Sequence, residues 1–141
     1  MFEYKTTIKM HEIDAAGVLF FANQFKLVHD AYEAFLESRG VAIKDLLENT
    51  SFHLPIVHAE TDYKAPLRIG DKIVVRLMLK KTGHTSFTLA HEIYKSGTEL
   101  TGTGETVHVC IDKNTGAKIP LPAELLQILG PVKHTKDKKI N

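Results

Sequence analysis

The stretch "NQFKLVHDAYEAFLESRG", residues Asn23–Gly40, decides how the rest of the chain must fold. Counting from Phe21, the residues Phe21, Phe25, Val28, Tyr32 and Phe35 recur at the spacing of one helix face. Leu27, Ala31, Ala34 and Leu36 widen that face. The pattern predicts a long helix buried over most of its girth, with Lys26, Asp30, Glu33 and Glu37 on its wet side. Asn23 suits the start of the helix and Gly40 its end. So apolar a helix needs another layer to cover it.

The flanking sequence supplies that layer. Before the helix, Phe2, Tyr4, Thr6, Ile8 and Met10 alternate with Glu3, Lys5, Thr7 and Lys9, the period of a half-buried strand. After it, "IKDLLENT" predicts a second, short helix. From residue 53 the pattern becomes one of strands: "HLPIVHAETDYKAPL", "DKIVVRLMLKKT" behind Gly70, "TSFTLAHEIYKSG" and "ELTGTGETVHVCID". "KNTGAK" is a turn with Gly116 free to take a positive φ, and "AELLQILG" closes with a short helix behind Pro122. Strands that follow one another through short turns pair antiparallel. The expectation is an α+β domain, one antiparallel sheet against one long helix, over residues 1–130. A polar, flexible tail, 131–141, follows.

Composition narrows the classes. The chain has 141 residues, 43% hydrophobic and 25% charged, with a formal net charge of +1. That is the make-up of one ordinary globular domain. It offers no basic surface of the kind nucleic acid requires, since the basic residues cluster only in "KHTKDKKIN". The start does not look like a signal peptide, and no apolar run reaches the length of a membrane span. A lone cysteine, Cys110, permits no internal disulfide and fits a cytoplasmic setting.

Few residues are placed to do chemistry. No G-x-S-x-G elbow is present. Cys110 lies between Val109 and Ile111 in a strand and reads as a buried structural thiol. "GTGET", Gly102–Thr106, lacks the third glycine of a phosphate-binding fingerprint and reads as a strand bulge. The histidines form no metal-binding spacing, and His53 and His58 fall on opposite faces of the predicted strand. No metal is expected. Asp14, in "HEIDAAGVLFFANQF", has two readings. It is a turn residue next to glycine, or a poorly solvated carboxylate available as nucleophile or base. The second reading gains from the helix that follows. Its first N–H groups have no intrahelical partner and carry the positive end of the helix dipole, so they can hold an oxyanion.

"EIDAAGVLFFANQFKLVHDAYEAFL" resembles the opening of hotdog-fold acyl-CoA thioesterases of the 4-hydroxybenzoyl-CoA thioesterase type, whose pattern is D-x-x-G-[VI]-[VL]-aromatic and then the long central helix. "LPIVHAETDYKAPLRIGDKIVV", "TSFTLAHEIY" and "TVHVCID" extend the resemblance over roughly residues 4–125. "FFANQF" and "VHVCI…PLP" resemble the branch that serves phylloquinone and menaquinone synthesis. The resemblance implies a hotdog fold, a five-stranded antiparallel sheet wrapped around one long helix. It implies an acyl-CoA substrate, with coenzyme A as part of substrate and product, and no separate cofactor. Asp14 would be catalytic, the backbone N–H of Phe21 would polarise the thioester carbonyl, and Gly17 would let the loop approach the ligand. Several short-chain members carry histidine at the Phe21 position; its absence here points to an aromatic acyl group. Phe20, Phe25, Phe52 and Leu54 would shape the acyl pocket. Lys80, Lys81, Thr82, His84 and Ser86 either meet the phosphates of coenzyme A or form a solvated hairpin. His58 either reaches an acyl-ring hydroxyl across a dimer or is structural. A second hotdog branch would cast Glu33 or Asp30 as the catalytic acid, but no Gly-Gly pair precedes this helix. The D-x-N-P-x-H pattern of hydratases is absent. The family pairs its sheets between subunits, so a dimer or tetramer is implied, with no nucleic acid or membrane partner. The alternatives are a short-chain or acyl-carrier-protein thioesterase, or a non-catalytic acyl-CoA-binding protein.

Overall fold

The structure, a computed structural model, describes residues 1–133. Of the predicted flexible tail, residues 134–141 lie outside the described residues, whereas its start is held: Val132 packs against the core and Lys133 donates its N–H to the Leu79 carbonyl at 2.8 Å. The expected layers are present. Strands β1 (Phe2–Thr7), β3 (Ile56–Tyr63), β4 (Lys72–Thr82), β5 (Ser86–Lys95) and β6 (Glu99–Val109) form one sheet in the order β1-β4-β5-β6-β3. Every neighbouring pair is antiparallel. Helix α1 (Asn23–Ser38) has 16 residues, a length of about 24 Å. The small helices α2 (Ile43–Glu48) and α3 (Ala123–Leu129) and a two-stranded ribbon, β2 (Phe52–His53) with β7 (Ile111–Asp112), complete it.

The pleat dictates which residues meet the helix. Ile73, Val75, Leu77 and Leu79 on β4 and Phe87, Leu89 and Ile93 on β5 point to one side and are buried. They share a core with Leu27, Val28, Ala31, Tyr32, Phe35 and Leu36 of α1. Each large side chain so buried contributes about 1.5–3 kcal/mol. This is the hotdog arrangement, sheet around helix.

Four local expectations are corrected. Helix α1 begins at Asn23, with Ala22 in the capping place. Phe21 therefore precedes the helix and is 64% exposed instead of sharing its buried face. Asn23 makes no side-chain cap; its Nδ2 donates to the Glu12 carbonyl at 2.8 Å. The run after residue 53 is not one strand, because Pro55 separates β2 from β3, so His53 and His58 lie in different sheets. "GTGET" is no bulge. The β6 register runs unbroken from Gly102 to Val107, and the irregularities of the sheet fall at Val57, Lys80 and beside Tyr94.

Candidate active site

From Glu12 to Phe20 the loop ahead of α1 is held by hydrogen bonds among the described residues at every backbone N–H but that of Ala15. A 3-10 turn, Met10–Glu12, buries Glu12 to 2% exposure. The Glu12 carboxylate accepts from the Lys9 N–H at 2.7 Å and from Lys26 Nζ at 3.4 Å. The Glu12 carbonyl accepts from the Phe20 N–H at 2.9 Å. Asp14 donates its N–H to the Val18 carbonyl at 2.8 Å, and Leu19 donates to Leu67 at 2.7 Å. Gly17 turns the loop at φ +82°, a conformation that costs glycine little and other residues more.

The turn reading of Asp14 is seen directly, and it occupies only one of the two carboxylate oxygens. Its Oδ1 accepts from the N–H groups of Ala16 at 2.8 Å and Val18 at 3.3 Å, the turn role. Its Oδ2 has no hydrogen-bond partner among the described residues. The N–H groups of Phe21 and Ala22, just ahead of α1, also have no partner among the described residues. Asp14, Phe20, Phe21, Gln24, Tyr63 and Pro66 line one cleft of about 460 Å³. Asp14, with its free carboxylate oxygen, and Phe21, with its free amide, thus line one opening, and the free Ala22 amide follows next in the chain. Such donors stabilise charge developing on a carbonyl oxygen.

Three residues that the sequence did not reveal hold the helix start. Gln24 is 2% exposed. Its Nε2 donates to Thr61 Oγ1 at 2.7 Å and to the Asp62 carbonyl at 3.1 Å. Tyr63 donates its hydroxyl to the Phe21 carbonyl at 2.8 Å. Behind Thr61 lies His91, with Nε2 3.0 Å from Thr61 Oγ1. Burial holds the His91 imidazole well below its usual range, at about 4, so it is neutral. Its Nδ1 is buried and unpartnered. Only the "GTG" of β6 hints at this cluster, and glycine alone does not say what fills the space it leaves.

The remaining expected residues lie elsewhere. Lys80, Lys81, Thr82 and Ser86 stand at the β4–β5 hairpin, the opposite end of the sheet from the cleft. An 11-residue strand separates those ends by on the order of 30 Å. Lys80 is tied to Glu105 at 2.6 Å, and that hydrogen bond raises the pKa of the lysine. His58 is exposed on β3, paired in register with Val107, and does not line the cleft. Phe20 lines the cleft. Phe52 is buried in the core, and Leu54 packs against it. Phe25 lines a second groove of about 300 Å³ between α1 and β3, with Tyr32, Ile56 and His108. His108 stacks on Phe87 at 4.7 Å between ring centroids, and burial lowers its pKa to about 4.

A loop acid and free amides before the central helix of a hotdog sheet define a class, the thioester-processing hotdog proteins. Residues 8–129 match the family model of the thioesterase-like superfamily, and the chain belongs to that family. It is similar to the 1,4-dihydroxy-2-naphthoyl-CoA hydrolase of Nostoc punctiforme, 38% identical over 91% of this chain and 86% of that one. Its fold matches the crystal structure of a 1,4-dihydroxy-2-naphthoyl-CoA thioesterase from Synechocystis. There the TM-score is 0.85 and the identity 30%, over 91% of this chain and 94% of that one. It also matches a gentisyl-coenzyme A thioesterase, at TM-score 0.80 and 27% identity over 91% of this chain and 99% of that one.

Proposed function

We propose that the protein is an acyl-CoA thioesterase that cleaves an aromatic acyl-CoA, with 1,4-dihydroxy-2-naphthoyl-CoA the first substrate to test. The observation that carries this reading is the division of labour in Asp14, one oxygen in the turn and the other free in the cleft that the unclaimed Phe21 amide shares. The thioester carbonyl oxygen sits on the Phe21 and Ala22 N–H groups. Asp14 attacks the carbonyl carbon, the C–S bond breaks, and coenzyme A leaves as thiolate to be protonated by water. Water then cleaves the mixed anhydride, which restores the carboxylate and frees the acid. In the alternative route Asp14 takes a proton from a water that attacks directly. Either route uses a carboxylate, water and backbone amides, and calls for no metal or redox cofactor. The hydrolases similar to it in sequence and in fold act on aromatic acyl-CoA, which supports the same acyl class here.

The active unit is a dimer or a larger assembly of dimers. Strand β3 is a sheet edge with Ile56, Val57 and Tyr63 exposed, and an open edge invites a second strand. Two-fold antiparallel pairing of β3 with a second copy brings the start of one strand beside the end of the other. The hairpin carrying Lys80, Lys81, Thr82 and Ser86, and the groove of Phe25, Tyr32 and His108, then approach the partner's cleft. His58 comes near the two-fold axis. Lysines there suit the phosphates of coenzyme A, and the groove suits a flat ring. The setting is cytoplasmic, which the single buried cysteine supports; no helix among the described residues is long and apolar enough to cross a membrane.

The test is Asp14→Asn, assayed by thiol release from a panel of aromatic, short-chain and carrier-protein thioesters. A loss of about 10²–10⁴-fold in kcat on the aromatic substrate is expected. Turnover retained within a few-fold sinks the mechanism. Binding of coenzyme A without any thiol release by the wild type would make the protein a binder instead. A single turnover in ¹⁸O water that places label in Asp14 establishes the nucleophilic route, with water opening the anhydride at the aspartyl carbonyl.

A further inference from the structure

The start of α1 is uncapped. Ala22 offers no side-chain hydrogen bond, and the first turn holds no acidic residue. An uncapped first turn frays, and its N–H groups lose their aim. Here three consecutive residues of β3 grip that turn instead: the Thr61 hydroxyl and the Asp62 carbonyl take Gln24 Nε2, and the Tyr63 hydroxyl takes the Phe21 carbonyl.

The donors and acceptors in this grip are fully assigned. The Asp62 carbonyl can only accept, so the nitrogen of the Gln24 amide must face it. Thr61 donates its single hydroxyl proton to the Thr103 carbonyl at 3.1 Å. Its oxygen therefore accepts from both Gln24 Nε2 and His91 Nε2–H, and the His91 tautomer follows. The imidazole reaches Thr61 from β5 across the intervening strand β6, because the residue between them is Gly104. A Cβ at Gly104 would lie 2.7 Å from His91 Nε2, and one at Gly102 would lie 2.7 Å from Gln24 Nε2. The two glycines clear the space that the brace occupies.

We propose that Gln24, Thr61 and His91 are positioning residues that hold the Phe21 amide, and the Ala22 amide next to it, in place at the mouth of the cleft. The inference rests on the hydrolysis proposed above. It assigns to the "GTG" of β6 the role of admitting the brace. The brace binds no substrate through Thr61 or His91; it acts through the helix start. Misaimed donors fail the transition state more than the bound substrate, so the loss falls on kcat.

Thr61→Val removes the shared hydroxyl and keeps the shape. Gln24→Met removes the amide without touching the sheet. Each is expected to lower kcat by about 10-fold to 100-fold, the scale set by an ångström of misplacement, with KM within about twofold. Thr61→Ser is expected to recover most of the loss, and the Gln24→Met/Thr61→Val double variant to lose no more than the worse single one. Backbone ¹⁵N order parameters at Phe21 and Ala22 in the free protein supply a second arm. They are expected near 0.85 in the wild type and below about 0.6 in the Gln24→Met variant. Folded variants with kcat unchanged, or with KM alone raised, overturn the proposal, as does an order parameter that stays high. If the wild type hydrolyses no thioester, the proposed function fails, while the order parameters still decide the brace.

Discussion

The two edges of the sheet are finished differently. On β1, alternate residues are partly buried and the outward ones are polar, Glu3, Lys5 and Thr7. Glu3 meets Arg76 on the next strand at 2.7 Å, and Arg76 lies over the Tyr94 ring at 4.4 Å. That edge is polar on its outward face and is tied by side chains to the strands inside it. On β3 every residue but Thr61 is exposed, three of them large and apolar. Beneath it lie the two buried neutral histidines, His91 and His108, and the groove beside α1. The difference teaches that, among the described residues, the apolar outward side chains of the sheet edges and the buried unpartnered imidazole nitrogens fall on one side, the side that also holds the start of α1.

Acid should break the comparison most strongly. His91 and His108 titrate at about 4 in the folded chain, against 6.5 when unfolded. Between those values the unfolded state binds more protons, so stability falls as pH drops from 6.5 towards 4 and is fully present above 6.5. A fall from 6.5 to about 4 corresponds to about 3 kcal/mol for each histidine. Urea unfolding at pH 7 and pH 4.5 measures it. His91→Gln should flatten the slope, and a slope unchanged in that variant would mean that other groups carry it.

Gly104→Ala comes next. Its methyl would strike the Glu60 carbonyl oxygen and the His91 ring. Backbone cannot yield as a flexible side chain can, so a loss of about 3 kcal/mol is expected in thermal or urea unfolding. A variant as stable as the wild type would show that β3 shifts freely over β6.

The smallest effects sharpen the contrast between the edges. Val57→Lys sits on an exposed position of β3 and should cost the lone chain within about 0.5 kcal/mol. It should nevertheless weaken self-association by about tenfold or more in sedimentation, if β3 is the pairing edge. Glu3→Gln on β1 breaks a surface ion pair and should cost about 0.5 kcal/mol or less, with association unchanged. An equal response to both changes would erase the distinction.

Much of this was legible in residue order. The apolar spacing from Phe25 to Phe35 specified α1, and the alternation in β4 and β5 specified which face meets it, because both patterns are local consequences of helix and strand period. Asp14 beside Gly17 specified a turn in the same local way. The boundaries were harder. Phe21 fits the helix spacing, yet the chain is still turning there, held by hydrogen bonds from Phe20 to Glu12 and from Tyr63 to Phe21 that join residues far apart in sequence.

The sequence alone determined the layers, the antiparallel order of local hairpins and the acid at the head of the helix, since each follows from spacing and turn chemistry. Only the tertiary structure decided what the glycines of β6 are for, which Asp14 oxygen is free, and that Gln24, Thr61 and His91 meet. Those outcomes depend on packing among α1, β3, β5 and β6. A buried hydrogen-bond network has no period, so nothing in the order of residues announces it before the chain closes around it.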